Sequence, residues 1–175
     1  YGERGFVKAT LFRTEVDNLI QFDGASTACA SGFGCYNQVA GETVSEGLEL
    51  SGEYVLRDGM SLYSAYTYTD ASNGDTRLTR TPRHDVVVGL SSDITSKISG
   101  YFDVRHVADI VPSAFAPANN LVGDYTLVGA GVSYDVSDTA EVYLRVENLF
   151  DEDYEKAGGF NQAGRSVFLG VRADF

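Results

Sequence analysis

Apolar residues recur at every second position along much of the chain. At the C-terminal end Val167, Leu169, Val171, Ala173 and Phe175 share one parity, while Ser166, Gly170, Arg172 and Asp174 share the other. A period of two is the mark of a strand with one apolar and one polar face. Ala140, Val142, Leu144 and Val146 alternate in the same way against Glu141, Tyr143, Arg145 and Glu147. Val128, Ala130, Val132 and Tyr134 oppose Gly129, Gly131, Ser133 and Asp135, and Phe102 and Val104 oppose Asp103 and Arg105. Residues 6–12, 47–56, 61–69 and 86–90 complete the set, each bounded by Gly, Asp, Asn or Pro. The pattern predicts an all-β, antiparallel chain of about eight strands. Residues 61–69 have no clean face, and residues 86–90 are apolar on both parities except at Gly89.

The connections alternate in length. Tight turns are expected at Arg57-Asp58-Gly59, near Asp93 to Ser96 and at Val136-Ser137-Asp138. Long segments are expected around the cysteines, through Asn73-Gly74-Asp75, over residues 108–122 and over residues 150–164. An outer-membrane barrel places short turns at its periplasmic end and long loops outside. A soluble sandwich has no reason to sort its loops in this way. With an even strand count both chain ends fall on the short-turn side.

Charge and glycine placement bear on which face meets lipid. Glu141, Arg145, Glu147, Arg172 and Asp174 lie on the same faces as Gly129, Gly131 and Gly170. Charges and glycines suit a wet or plugged lumen, whereas Val, Leu, Ala and Phe suit lipid. A net charge of -12, from 25 acidic against 13 basic residues, works against nucleic acid and against an anionic lipid surface. No stretch approaches the roughly 20 apolar residues of a membrane-spanning helix. The opening Tyr1-Gly2-Glu3-Arg4 does not read as a secretion signal, so the expectation is a processed chain or a piece of a longer one.

Candidate chemistry is sparse. His84 and His106 are the only histidines, and neither has a Ser or Cys at a hydrolase-like spacing; no catalytic residue, cofactor or metal site is assigned. Cys29 and Cys35 lie close together in a Ser/Gly/Ala-rich stretch without a nearby His, so a loop-stapling disulfide is favoured over a metal pair. Arg80 and Arg83, at the rim, are candidates for an anionic part of a ligand, with hydrogen bonding to a neighbouring loop the favoured role.

The run Asn148-Leu149-Phe150-Asp151-Glu152-Asp153-Tyr154, then Gly159-Phe160-Asn161-Gln162-Ala163-Gly164-Arg165 and the strand ending in Phe175, resembles the C-terminal signature of TonB-dependent outer-membrane receptors. Ala9-Thr10-Leu11-Phe12, Asp17-Asn18-Leu19-Ile20, Gly47-Leu48-Glu49-Leu50 and Arg80-Thr81-Pro82-Arg83-His84 agree with it, so the likeness spans nearly the whole chain. It is nearest in looks to the cobalamin (vitamin B12) receptors, and siderophore receptors share much of it. The resemblance implies a transmembrane β-barrel segment in the outer membrane of a Gram-negative bacterium. Residues 1–175 would form the C-terminal part of a larger barrel, with the plug domain and TonB box absent. It further implies uptake of a corrinoid or siderophore, and contact with the TonB complex only through the missing plug. Tyr154, Phe160 and Asn161 join Arg80 and Arg83 as candidate ligand contacts. Gly170, Ala173 and Phe175 resemble the signal read by the barrel assembly machinery, and outer-membrane lipid is the remaining partner. Asn148 to Asp151 is expected mainly to shape the rim, with Asx-type turns. Two other architectures stay open: a self-closed eight-stranded outer-membrane barrel, in which residues 6–12 pair with residues 166–175, and a soluble lipocalin-like barrel.

Overall fold

The computed structural model describes residues 4–23, 26, 34–38, 41–113 and 117–174, and among them there are strands and turns but no helix. In chain order the strands are β1 (Gly5–Asp17), β2 (Ile20–Asp23), β3 (Cys35–Gln38), β4 (Glu42–Arg57), β5 (Met60–Asn73), β6 (Thr76–Arg77), β7 (Pro82–Asp93), β8 (Ile98–Ile110), β9 (Tyr125–Ser137), β10 (Ala140–Glu147), β11 (Glu155–Ala157), β12 (Phe160–Asn161) and β13 (Ser166–Ala173).

One nine-stranded antiparallel sheet runs β1-β4-β5-β7-β8-β9-β10-β13, with the short β6 added to β5. The small hairpins β2–β3 and β11–β12 lie inside two of the long loops. Strands β1 and β13 are the two edges of the sheet and do not pair with each other, so the self-closed barrel is not the arrangement adopted.

The turns explain the alternation of loop lengths. Asp58-Gly59 closes β4 onto β5 with Gly59 at φ 70, the left-handed backbone a two-residue hairpin requires. Between β7 and β8 the Thr95 hydroxyl accepts the Lys97 and Ile98 amides. Both ends of the described sheet, Gly5 opposite Tyr54 and Ala173 opposite Ala140, lie at this short-turn end.

Direct register partners share a face, and the register sorts the side chains. One face carries Tyr54, Leu62, Leu90, Phe102, Ala130 and Val146 along a single row, with Leu48 on the same face of β4. It also carries Val132, Leu144 and Leu169 in one row and Tyr134, Val142 and Val171 in the next. Many of these residues are open to the surroundings: Val7 is 85% exposed, Leu169 76% and Val171 71%. Buried apolar residues, by contrast, are confined among the described residues to Cys35, Ala71, Val107, Tyr125 and Val128. A water-soluble barrel of this size would place its aliphatic side chains inside, so the soluble reading fails on the direction of this face. Toward the long loops the same face ends in Tyr66, Tyr68, His84 and His106. The Tyr66 hydroxyl and His84 Nδ1 are hydrogen-bonded at 2.8 Å, and the Tyr68 and His84 ring centroids are 5.4 Å apart. Rings with a polar tip suit the interfacial girdle of a membrane barrel.

The opposite face is polar and concave. Ser61, Ser91, Ser99, Ser133, Tyr101, Tyr143, Glu141 and Arg145 line a recess of about 780 Å³ near the short turns. The two ambiguous segments resolve here: Leu62, Ser64 and Tyr66 with Val86, Val88 and Leu90 face outward, while Ser61, Tyr63 and Ala65 with Val87 and Gly89 face the lumen.

Strand limits differ from the sequence reading in one consistent way. β1 continues past Phe12 to Asp17 and β8 continues to Ile110. Above the apolar band these strands pair through charged side chains, as when Arg13 on β1 meets Glu46 on β4 at 2.6 Å. Alternation of apolar residues ends there although the ladder does not.

Candidate functional site

The long-loop end gathers most of the residues singled out from the sequence. β10 ends at Glu147, and the next residue, Asn148, is buried and in left-handed backbone (φ 51). Its side-chain amide donates to the Glu152 carbonyl at 2.9 Å and the Ala163 carbonyl at 3.4 Å, and its side-chain oxygen accepts the Glu152 amide at 2.8 Å. Asp151 continues the turn at φ 60, and its carboxylate accepts the Arg165 amide at 2.7 Å. The motif thus shapes the rim: two short polar side chains tie both ends of the loop together.

A second loop joins the first. The Glu155 carboxylate is buried and accepts the Gly159 amide at 2.8 Å and the Leu121 amide at 3.3 Å. Tyr154 packs its ring on Tyr125 with centroids 4.4 Å apart. Beneath them lies a recess of about 290 Å³ whose walls include Tyr154, Asp103, Arg105, Arg145 and Glu147. Arg105 is held by Asp85 through two bonds, Nε at 3.0 Å and an outer nitrogen at 2.6 Å, a bidentate pairing that fixes the guanidinium plane.

The rim arginines divide by role. Arg83 reaches Asp70 at 2.9 Å and Asp109 at 3.1 Å, and Arg77 reaches the other Asp109 oxygen at 2.7 Å. Asp109 sits in left-handed backbone (φ 59), and its amide donates to Asp124 at 2.8 Å. The hydrogen bond from Arg77, aided by the charges of Arg77 and Arg83, holds the Asp109 carboxyl below the usual carboxylate range. Arg83 is therefore consumed by the scaffold. Arg80, also left-handed (φ 62), donates its amide to the Val111 carbonyl, and its exposed side chain enters no ion pair among the described residues. Phe160 and Asn161 are exposed on β12, so of the expected ligand contacts only Tyr154 stands over the recess.

Elsewhere along the rim, the β2–β3 hairpin presents Ile20, Phe22 and Tyr36 to the outside, with the Phe22 and Tyr36 rings edge to face at 5.6 Å. Cys35, on β3, is disulfide-bonded, and Cys29 lies outside the described residues. Phe175 lies outside them as well, while Gly170 and Ala173 are in β13. His84 meets the Tyr66 hydroxyl at 2.8 Å and His106 the Thr126 hydroxyl at 2.9 Å, both on the outward face. Sequence reasoning missed Glu155 and Asp109, because an acidic residue in a loop reads as a solvated one and only the partner loop makes it buried or strained.

Comparison with known proteins points one way. The model of the family described as TonB dependent receptor-like, beta-barrel matches residues 1–149. The vitamin B12 transporter BtuB of Vibrio cholerae serotype O1 is 27% identical over 168 residues, covering 92% of this chain and 26% of that protein. The iron-regulated outer membrane virulence protein of the same organism is 26% identical over 142 residues, covering 77% of this chain and 22% of that protein. Among solved structures, the copper transporter OprC superposes with a TM-score of 0.80 at 20% identity, over 100% of this chain and 30% of that one. The closed form of the ferric-catecholate import receptor Fiu from E. coli K12 gives 0.74 at 22% identity, over 99% and 26%. The chain thus spans about a quarter of the length of the curated relatives it matches.

Proposed function

Because the chain belongs to the TonB-dependent receptor-like β-barrel family, we propose that it forms the C-terminal wall of an outer-membrane receptor for active uptake of a scarce, bulky nutrient. The nutrient is a corrinoid of the cobalamin type or an iron–siderophore, a reading supported by the likeness to a vitamin B12 transporter and to a ferric-catecholate import receptor. The observation that carries this reading is the sorting of the sheet: aliphatic side chains outward, polar and glycine positions inward, and all long connections at one end. That is the distribution a lipid-embedded barrel with an aqueous or plugged interior requires.

In this reading the long loops face the outside and take part in ligand capture. Tyr154 and the free Arg80 contact the ligand, with Phe160 and Asn161 at the outer margin. Energy reaches the receptor from the TonB complex through a plug that lies outside this chain. Gly170, Ala173 and Phe175 serve the barrel assembly machinery during insertion. The reading is one of transport, with no chemical step assigned to any residue.

The test is calorimetric titration of the intact receptor in detergent micelles with cyanocobalamin and, separately, with a ferric catecholate siderophore. Saturable binding of one of them, weakened about tenfold or more by Tyr154→Ala, supports the reading. Absence of binding to both overturns the cargo class.

A further inference from the structure

We infer that Glu155 is a positioning residue that clamps two neighbouring loop segments, residues 117–124 and residues 148–165, into one body. Glu155 is 5% exposed as a residue. Among the described residues it has no cationic partner within ion-pair distance. A buried carboxylate without a counter-charge is tolerated only where N–H groups replace its water. Here a single oxygen takes one amide from each loop, Leu121 and Gly159.

Four further approaches run in parallel with it. The Glu155 amide donates to the Leu121 carbonyl at 3.4 Å, and Val122 and Glu155 form a parallel β-bridge. The Tyr154 ring lies on Tyr125, the first residue of β9. A Cβ placed on Gly159 (φ 82) would lie 3.5 Å from the Pro117 ring, so the two segments also run close together there. Parting the two segments would leave the carboxylate with the Gly159 amide alone and the Leu121 amide without its acceptor, at a cost that falls on both. The two therefore loosen together. Since Tyr154 is the neighbour of Glu155 and stands over the recess, the clamp also fixes where that ring is offered to a ligand.

The significance for capture rests on the function proposed above, and the experiment is arranged to judge the clamp without it. Hydrogen exchange of the intact receptor in detergent micelles is followed by mass spectrometry, with no ligand present. The expected result for Glu155→Ala is acceleration of about tenfold or more in peptides covering both residues 117–122 and residues 154–162. Glu155→Gln retains an oxygen acceptor, and its acceleration should stay within about threefold in both. Acceleration confined to residues 154–162, or an equal response to Gln and Ala, overturns the inference. Should Glu155→Ala not fold, the unaltered receptor decides. Under conditions where opening limits exchange, the two loops must exchange at one common rate, and two distinct rates overturn the clamp. A receptor that binds neither cyanocobalamin nor a ferric catecholate leaves this readout intact, so the two failures are told apart.

Discussion

Tyr143 lies across Gly170, its register partner on the neighbouring strand, and a Cβ placed on Gly170 would run into the phenol ring. The same seat recurs at Tyr63 over Gly89 and at Tyr101 over Gly131, so three neighbouring strand pairs each put a ring on one strand and a glycine on the next. All three pairs are on the lumen face. A ring lying flat shields the weak glycine backbone and keeps the wall open, a pairing that offsets the low strand propensity of glycine.

The seat makes Gly170→Ala a specific lesion. The added methyl must displace the Tyr143 ring, at about 1–3 kcal/mol of overpacking. In Tyr143→Ala the space is already empty, so adding Gly170→Ala should cost far less than in the unaltered chain. Urea unfolding of the intact barrel in micelles measures both, and strict additivity of the two substitutions would exclude the contact.

Asn148 combines three side-chain hydrogen bonds with left-handed backbone, and substitutions separate the two contributions. Asn148→Gly loses the bonds alone, whereas Asn148→Ala also forces a Cβ into φ 51. Each unsatisfied buried partner costs about 1–3 kcal/mol, and the alanine adds about 1–2 kcal/mol of backbone strain. Limited proteolysis within residues 148–165 should therefore rank Ala above Gly above Asn in susceptibility. Equal rates for all three would mean that the loop is held by other contacts.

How much of this was legible in the sequence depends on the range of the interaction. β10 and β13 alternate cleanly because lipid on one side and polar surroundings on the other act on every residue in turn. β1 reads short because Arg13 and Glu15 break the apolar alternation, although Arg13 only exchanges lipid for Glu46 as a neighbour. The rim motif was readable as a turn, since Asn148 and Asp151 act over a few residues or across their own loop. Glu155 was hidden in an acidic run, because what buries it is Leu121, 34 residues away. Arg83 was open to two readings for the same reason: its partner Asp109 is 26 residues off, and nothing local separates a paired arginine from one waiting for a ligand. Arg80, with the same residue type and a similar neighbourhood, is the one left exposed.

The Arg77–Asp109–Arg83 cluster predicts a pH dependence. The Asp109 carboxyl is held low, chiefly by the Arg77 hydrogen bond. A depressed folded value means that the contribution is complete above the unfolded value, about 3.9, and is lost as pH falls through the lower folded value. The cluster is partly open to solvent, with 42% of the Asp109 side chain exposed, so the effect is modest and weakens with salt. Thermal melts between neutral and strongly acidic pH should show the rim loops loosening only at the acid end. In Asp109→Asn that part of the acid sensitivity should vanish while the rest persists.

The sidedness of the sheet gives the last prediction. Leu144 shares its row with Val132 and Leu169 on the outward face, so Leu144→Arg places a charge in the hydrocarbon at about 2–4 kcal/mol near the midplane. Ser91 pairs with Ser61 and Tyr101 on the lumen side, where Ser91→Lys meets polar groups and should be tolerated. Refolding of the intact receptor into lipid vesicles, read by heat-modifiable gel mobility, compares the two. Leu144→Arg should shift the folding equilibrium strongly and Ser91→Lys hardly at all. The reverse ranking would place lipid on the serine and tyrosine face, and with it the assignment of lumen, recess and rim residues would change sides.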